Sequence, residues 1–348
     1  MSKQRHRVLF FLLGATGLFL TQLAMAAAPA LPPSSRGTPS ASDETSIAAF
    51  VNYYAHQMSS AVDSHAMVRA RRRLLKPLES TTSPPSAEFI YDFGTQVNND
   101  FAPLLAHKKT ALNAAITIGS IPDISMQAAL QTALNNPNPA VRYWGAKGLG
   151  NIFNQLLAIG PAYQQAIESV QQALAVEADP LAAEEMCAVL LTQNPVPPGT
   201  ANLTARALAR AIAGYQDVVP DNLDIAGKLA ADLAVAAQGA TLTAAQKANA
   251  MHTLSLLMSD TAQYLNAGLL DPKQKFSAFS AMTSAAAAMN AVTGTTNFSL
   301  SGVNAQSSPA AILLQVNGIT GSQSQAGSVQ KLFPTAAIPP RISALQGH

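Results

Sequence analysis

The sequence predicts an all-α protein, and three observations carry that prediction. Only 11% of the 348 residues are charged and only 6% are aromatic, whereas 48% are hydrophobic, many of them alanine. Alanine favours closely packed helices, while β-branched and aromatic residues favour sheets. Apolar residues recur every three or four positions along most of the chain, and alternating strand patterns are nearly absent.

The first 26 residues predict a secretory signal peptide. Lys3, Arg5 and Arg7 precede an apolar run at residues 8–20, and the small residues Ala24 and Ala26 provide a cleavage site after Ala26. The alternative is an uncleaved N-terminal anchor. With the alanine-rich composition, this segment predicts a bacterial type of export to the periplasm or the exterior. No later run predicts a transmembrane segment.

Charge and cysteine content narrow the function classes. The whole chain has a net charge of +2, but removal of the three basic residues of the signal peptide leaves 18 cationic against 19 anionic residues. The charge therefore does not support nucleic-acid binding. Cys187 is the only cysteine, so stability must come from packing rather than from an internal disulfide.

The Pro/Ser/Gly-rich residues 27–42 predict a disordered linker after the cleavage site. A long helix is then expected, with Ser42, Asp43 or Thr45 as its cap, and Pro77 would end it after about Leu75. Its predicted buried face contains Ile47, Phe50, Val51, Tyr54, Met58, Ala61 and Val62.

Short helices separated by Pro, Gly and Asn fill the middle of the chain. We expect them near residues 87–105, 108–119, 124–135, 139–158, 161–176, 180–193, 200–215, 221–238, 243–267 and 272–292. Residues 43–195 are assigned to one helical domain, and residues 196–293 to helical hairpins that continue it as an array or a bundle. Residues 294–348 predict a low-complexity tail without fixed structure, except for an apolar stretch at 310–316 that would dock as a strand or a short helix.

Residues 133–152, "ALNNPNPAVRYWGAKGLGNI", have the most specific pattern. Asn138 can cap a helix that begins with Pro139, where proline is favoured. Small and apolar residues then recur on one face, which predicts close packing against a neighbouring helix. These residues are Val141, Gly145, Gly148, Leu149 and Ile152.

This pattern resembles the second half of a HEAT-type helical repeat. The resemblance implies a short, irregular α-solenoid of helical hairpins, with Val141, Arg142, Trp144 and Leu149 as structural residues of the repeat. In such repeats the arginine hydrogen-bonds between neighbouring units. Residues 109–121 and 177–191 align with the central unit but lack its Val-Arg pair.

No linear motif for chemistry is present. The histidines do not have metal-ligand spacing, and the sequence contains no nucleophile elbow or phosphate-binding glycine loop. We therefore predict no catalytic residue, no metal and no cofactor, and Cys187 is interpreted as a buried small residue.

A cluster of cations, namely Arg69, Arg71, Arg72, Arg73 and Lys76, is the one candidate interaction site. One interpretation is a set of favourable charges at a helix C-terminus. The other is a docking patch for an anionic partner in the cell envelope.

The functional prediction is a non-catalytic binding or scaffold module for a protein or peptide partner, because stacked helix pairs form continuous binding faces. One alternative is an enzyme whose site is assembled from separate helices. The other is a structural, envelope-associated helical protein.

Overall fold

The computed structural model describes residues 28–79, 84–334, 337, 339–340 and 342. The predicted signal peptide at residues 1–26 lies outside the described residues. Within them the protein is all-α, as predicted, and contains no strand beyond a single bridge between Ser322 and Gln325. The α-helices are α1 Ala41–Ser60, α2 Ser64–Leu75, α3 Ala87–Phe101, α4 Ala111–Gly119, α5 Gln127–Leu134, α6 Pro139–Leu156, α7 Gly160–Val176, α8 Pro180–Leu191, α9 Thr200–Ala211, α10 Leu223–Ala237, α11 Ala244–Asn266, α12 Pro272–Thr293, α13 Pro309–Thr320 and α14 Ser328–Leu332.

The first thirteen helices pack in two layers. Helices α2, α4, α6, α8, α10 and α12 contact one another in chain order and form one layer. The odd-numbered helices from α1 to α13 form the other, where α3 reaches α5 through the 3-10 turn Ile124–Met126. Most helices also contact their neighbour in sequence across the layers, so the apolar core lies between them.

Local signals explain most helix boundaries. Asn138, Asp179 and Asp271 each accept a backbone hydrogen bond in the first turn of the helix that they precede. Each of these helices has proline at its first position, where the missing N–H costs no hydrogen bond. The helices therefore start within a few residues of the predicted positions.

The single long helix predicted from about residue 43 to Leu75 is wrong, because the chain breaks between α1 and α2. Asp63 caps α2 by accepting a hydrogen bond from the Ala66 N–H at 2.7 Å. An uninterrupted helix that buries Met58 would also bury His65 and Arg69, which follow at seven and eleven positions. The break rotates the chain so that the apolar residues of α2 are buried instead, namely Met67, Ala70 and Leu74.

The segment predicted as a disordered linker is held against the body over residues 28–40. Pro33–Arg36 forms a 3-10 turn in which Ser35 is buried. The Arg36 guanidinium donates to the Pro77 carbonyl at 2.7 Å, and the Ser86 N–H donates to the Arg36 carbonyl at 2.9 Å. Hydrogen bonds to residues far along the chain order this segment despite its composition.

The predicted tail also contains ordered structure. The apolar stretch at residues 310–316 docks as a helix, α13, one of the two possibilities expected for it. It buries Ile312, Val316 and Ile319 and packs against α11. The prediction is wrong for the residues around it, because Phe298 is buried and α14 follows α13.

Candidate functional site

An open groove lies at the end of the odd-numbered layer, between α11 and α13. Its volume is about 740 Å3, and none of its lining residues is charged. Serine, asparagine and glutamine side chains dominate the lining, which comprises Ser259, Gln263, Asn266, Ala267, Leu313, Asn317, Gly321, Ser322, Gln323, Ser324, Pro339 and Pro340. This groove is neutral and rich in hydrogen-bonding groups.

Part of the protein's own C-terminal region contributes to this groove, since Pro339 and Pro340 line it. The side-chain Oε1 of Gln263 accepts a hydrogen bond from the Ile342 N–H at 3.1 Å. Its Nε2 donates to the Pro340 carbonyl at 3.3 Å and to the Ser259 hydroxyl at 3.0 Å. The Ile342 side chain is fully buried. One side-chain amide of the groove thus binds the backbone of this segment at two positions.

Buried Gln330 holds the loop that forms one wall of the groove. Its Nε2 donates to the Thr320 carbonyl at 3.0 Å, and its Oε1 accepts from the Gly327 N–H at 2.9 Å. Gly321 begins the loop at a φ of 84°, and a Cβ there would lie 2.9 Å from Gln330 Oε1. Only glycine suits this position, because it combines a left-handed backbone with close packing.

The structure separates the five predicted cations into two groups. Arg71 is half-buried and donates to Asn113 Oδ1 on α4 at 2.6 Å, and burial lowers its pKa. The other four are exposed. Three lie on α2 and Lys76 directly follows its last residue, and their spacing of i, i+3, i+4 and i+7 places them on one face. We call this set the cationic face: Arg69, Arg72, Arg73 and Lys76. None of the four forms an ion pair in the part of the chain that is described.

The predicted repeat residues occupy different environments. Val141 and Leu149 are fully buried. Trp144 is only half-buried, and the Lys147 ammonium lies 5.2 Å from the centre of its ring system. Arg142 forms a two-pronged ion pair with Glu177, with nitrogen–oxygen distances of 2.5 and 2.6 Å. Because Glu177 lies between α7 and α8, this pair connects α6 to the next helical hairpin.

Cys187 is buried, and the Thr204 hydroxyl donates to its sulfur at 3.4 Å. Burial raises the pKa of this thiol to about 12, so the reactive thiolate is not populated near neutral pH.

In comparisons with known proteins, no family model, no curated protein and no solved structure is significantly similar to this chain. Within the described residues, no group of three or more His, Cys, Asp or Glu side chains could hold a metal ion. No helix in that same part of the chain is long and apolar enough to cross a membrane.

Sequence reasoning missed the residues of the groove. Ser259 and Gln263 belong to a run of polar residues inside the apolar pattern of α11, together with the buried residues Ser255, Asp260 and Thr261. Buried polar residues in the middle of a long helix need hydrogen-bond partners. This run was therefore the one signal in the sequence that could have indicated a polar site on α11.

Proposed function

We propose that this protein is an exported, non-catalytic binding module whose α11–α13 groove binds an extended peptide segment of a partner protein. The contact between Gln263 and the backbone of Pro340 and Ile342 carries this proposal. Backbone hydrogen bonds supply affinity without regard to sequence, and a pocket for one side chain supplies selectivity. The expected ligand is an extended segment with an apolar residue two positions after a proline, because Gln263 contacts Pro340 and Ile342 in this way.

The helical array supports the same proposal. Helices α4, α6 and α8, which overlap the three segments that resemble HEAT-type repeats, pack side by side in chain order. We infer that the array is a degenerate HEAT-like solenoid, a class of architecture that commonly presents extended binding surfaces. The half-buried Trp144 and its neighbour Tyr143, whose rings are in contact, lie on α6 in the even-numbered layer.

Competition between the protein's own segment and an added peptide tests the groove. Ile342→Asp places a charge at a fully buried position and should release the segment. A fluorescent peptide with the wild-type sequence of residues 335–348 should then bind the full-length variant about ten-fold or more tightly than it binds the wild type, because a tethered competitor has a high local concentration. Fluorescence anisotropy measures both affinities.

A second substitution tests the amide contact directly. In the Ile342→Asp background, Gln263→Ala should weaken peptide binding about ten-fold through the loss of two hydrogen bonds. Gln165→Ala, on the exposed surface of α7, is the matched control and should have no effect. Equal binding by wild type and Ile342→Asp, or full binding after Gln263→Ala, would refute the proposal.

Attachment to an anionic surface of the cell envelope is a second candidate function, favoured by the cationic face. Its four side chains are exposed, lie on one side of α2 and have no described ion-pair partner. Cations that are not needed inside the protein remain free to bind anionic headgroups or polymers, each contributing about 1 kcal/mol near a charged membrane.

Vesicle binding tests this second candidate. Replacing Arg72 and Arg73 together by glutamine should weaken binding to phosphatidylglycerol vesicles about 30-fold, which corresponds to about 2 kcal/mol. Replacing Lys273 and Lys275 by glutamine removes the same charge from exposed positions on α12 and is the control. Arg71 is left unchanged because it donates to Asn113. If both double variants bind equally, the cationic face has no special role.

A further inference from the structure

A second, smaller cavity lies between α9 and α11. Its volume is about 160 Å3. Apolar walls come from Ala209, Ile212, Ala213 and Leu256, while Gln216, His252, Thr253 and Asp260 add polar groups. Apolar walls with a few convergent polar groups are typical of small-molecule sites. A cavity of this size accommodates a molecule close to benzene in volume.

Asp260 is the unusual member of this lining. Only 1% of its surface is exposed, and its Oδ1 has no hydrogen-bond donor among the described residues. The hydroxyl of Tyr264, one turn further along α11, also lacks a partner there. Burial raises the pKa of Asp260 to about 7. A buried carboxylate without a hydrogen-bond donor is stabilised most by a bound cation or by a strong hydrogen-bond donor.

The protein itself does not supply that cation, since no lysine or arginine lines the cavity. His252 lies two turns before Asp260, a rise of about 12 Å along the helix. Its Nδ1 has no partner among the described residues either, so this nitrogen does not donate to the carboxylate. A metal ion is disfavoured because the described residues offer no cluster of three suitable ligands.

We infer that this cavity binds a small organic ammonium compound, with its charged nitrogen at Asp260 and its apolar body against Ile212 and Leu256. This inference does not rest on peptide binding in the groove: both sites use α11, but the groove is completed by α13 and the cavity by α9 and the residues that follow it.

Two probes of nearly equal shape test the inference. Isothermal titration of the full-length protein should detect n-butylammonium at millimolar concentration, within the range that its few heavy atoms allow. The neutral isostere 1-butanol should bind at least about ten-fold more weakly, because it lacks the charge-assisted hydrogen bond.

Matched variants locate the charge that discriminates between the probes. Asp260→Asn should reduce the ratio of the two affinities to about one, while far-ultraviolet circular dichroism shows that the helices are retained. Asp232→Asn is the control, since Asp232 is half-buried and burial raises its pKa to about 7 as well, but it lies on α10 outside this cavity. Failure of n-butylammonium to bind, equal binding of 1-butanol, or an unchanged ratio in Asp260→Asn would each overturn the assignment.

Discussion

Arg142→Ala should lower the free energy of unfolding by about 3–5 kcal/mol, the cost of leaving a buried charge without its partner. The Glu177 side chain is only 1% exposed and receives both prongs of the guanidinium. Burial tends to raise the pKa of Glu177, but Arg142 and the backbone N–H groups of Asp179 and Ala178 outweigh it, and the pKa is lowered. Urea denaturation followed by circular dichroism at pH 7 measures the loss.

Further measurements assign this loss to the ion pair. Arg142 also donates to the carbonyls of Asn136 and Pro137, so adding Glu177→Gln to Arg142→Ala should restore only part of the stability. Because the folded-state pKa of Glu177 is lowered, its contribution is present above the unfolded-state value near 4.5 and is lost as the pH falls through the folded-state value. The difference between wild type and Arg142→Ala should therefore shrink at low pH.

Arg206→Ala, at an exposed position on α9, is the control and should cost less than about 0.5 kcal/mol. A loss below about 1 kcal/mol for Arg142→Ala would show that the pair does not hold the two hairpins together.

Gly148→Ala should destabilise the protein by about 1–3 kcal/mol through overpacking. A Cβ at this position would lie 2.3 Å from Leu130 Cδ2 and 2.8 Å from the Cα of Gly119. Leucine can change rotamer, but the backbone of α4 cannot move without separating two helices of the same layer. Thermal and urea denaturation report the change.

Gly318→Ala is the matched comparison for Gly148→Ala. Gly318 lies inside α13 and is exposed, and a Cβ added there would meet no neighbouring atom within 4 Å. Alanine at this position should stabilise the protein by up to about 1 kcal/mol, because it restricts the unfolded chain. If both variants change stability equally, the close approach of α4 and α6 does not explain the glycine at position 148.

The helices were largely predictable because their signals are local. Pro139 after Asn138, Pro180 after Asp179 and Pro272 after Asp271 each mark a helix start through chemistry contained within four residues. The buried face of α6 followed from periodicity in the same way, and Val141 and Leu149 are buried as that pattern implies.

The break between α1 and α2 was not predicted, although Asp63 is a good cap. Apolar residues recur at helical spacing on both sides of Asp63. Only the spacing between Met58 and Met67, which does not fit one continuous helical face, indicates that the buried face changes direction there. Residues 28–40 and 294–334, apart from the docked stretch at 310–316, were misjudged for a different reason. Their composition is typical of disorder, but Arg36, Asn290 and Gln330 supply hydrogen bonds that order the backbone around them.

Amino-acid order alone was sufficient to specify an all-helical chain and most of its helix boundaries, since capping, proline placement and periodicity act over a few neighbouring residues. Which side chains meet was decided only by the folded arrangement. Gln263 lies beside Ile342, and Arg142 beside Glu177, because packing of the two layers brings together residues that are 79 and 35 positions apart. The groove and the Asp260 cavity arise from such contacts, and no short pattern encodes them.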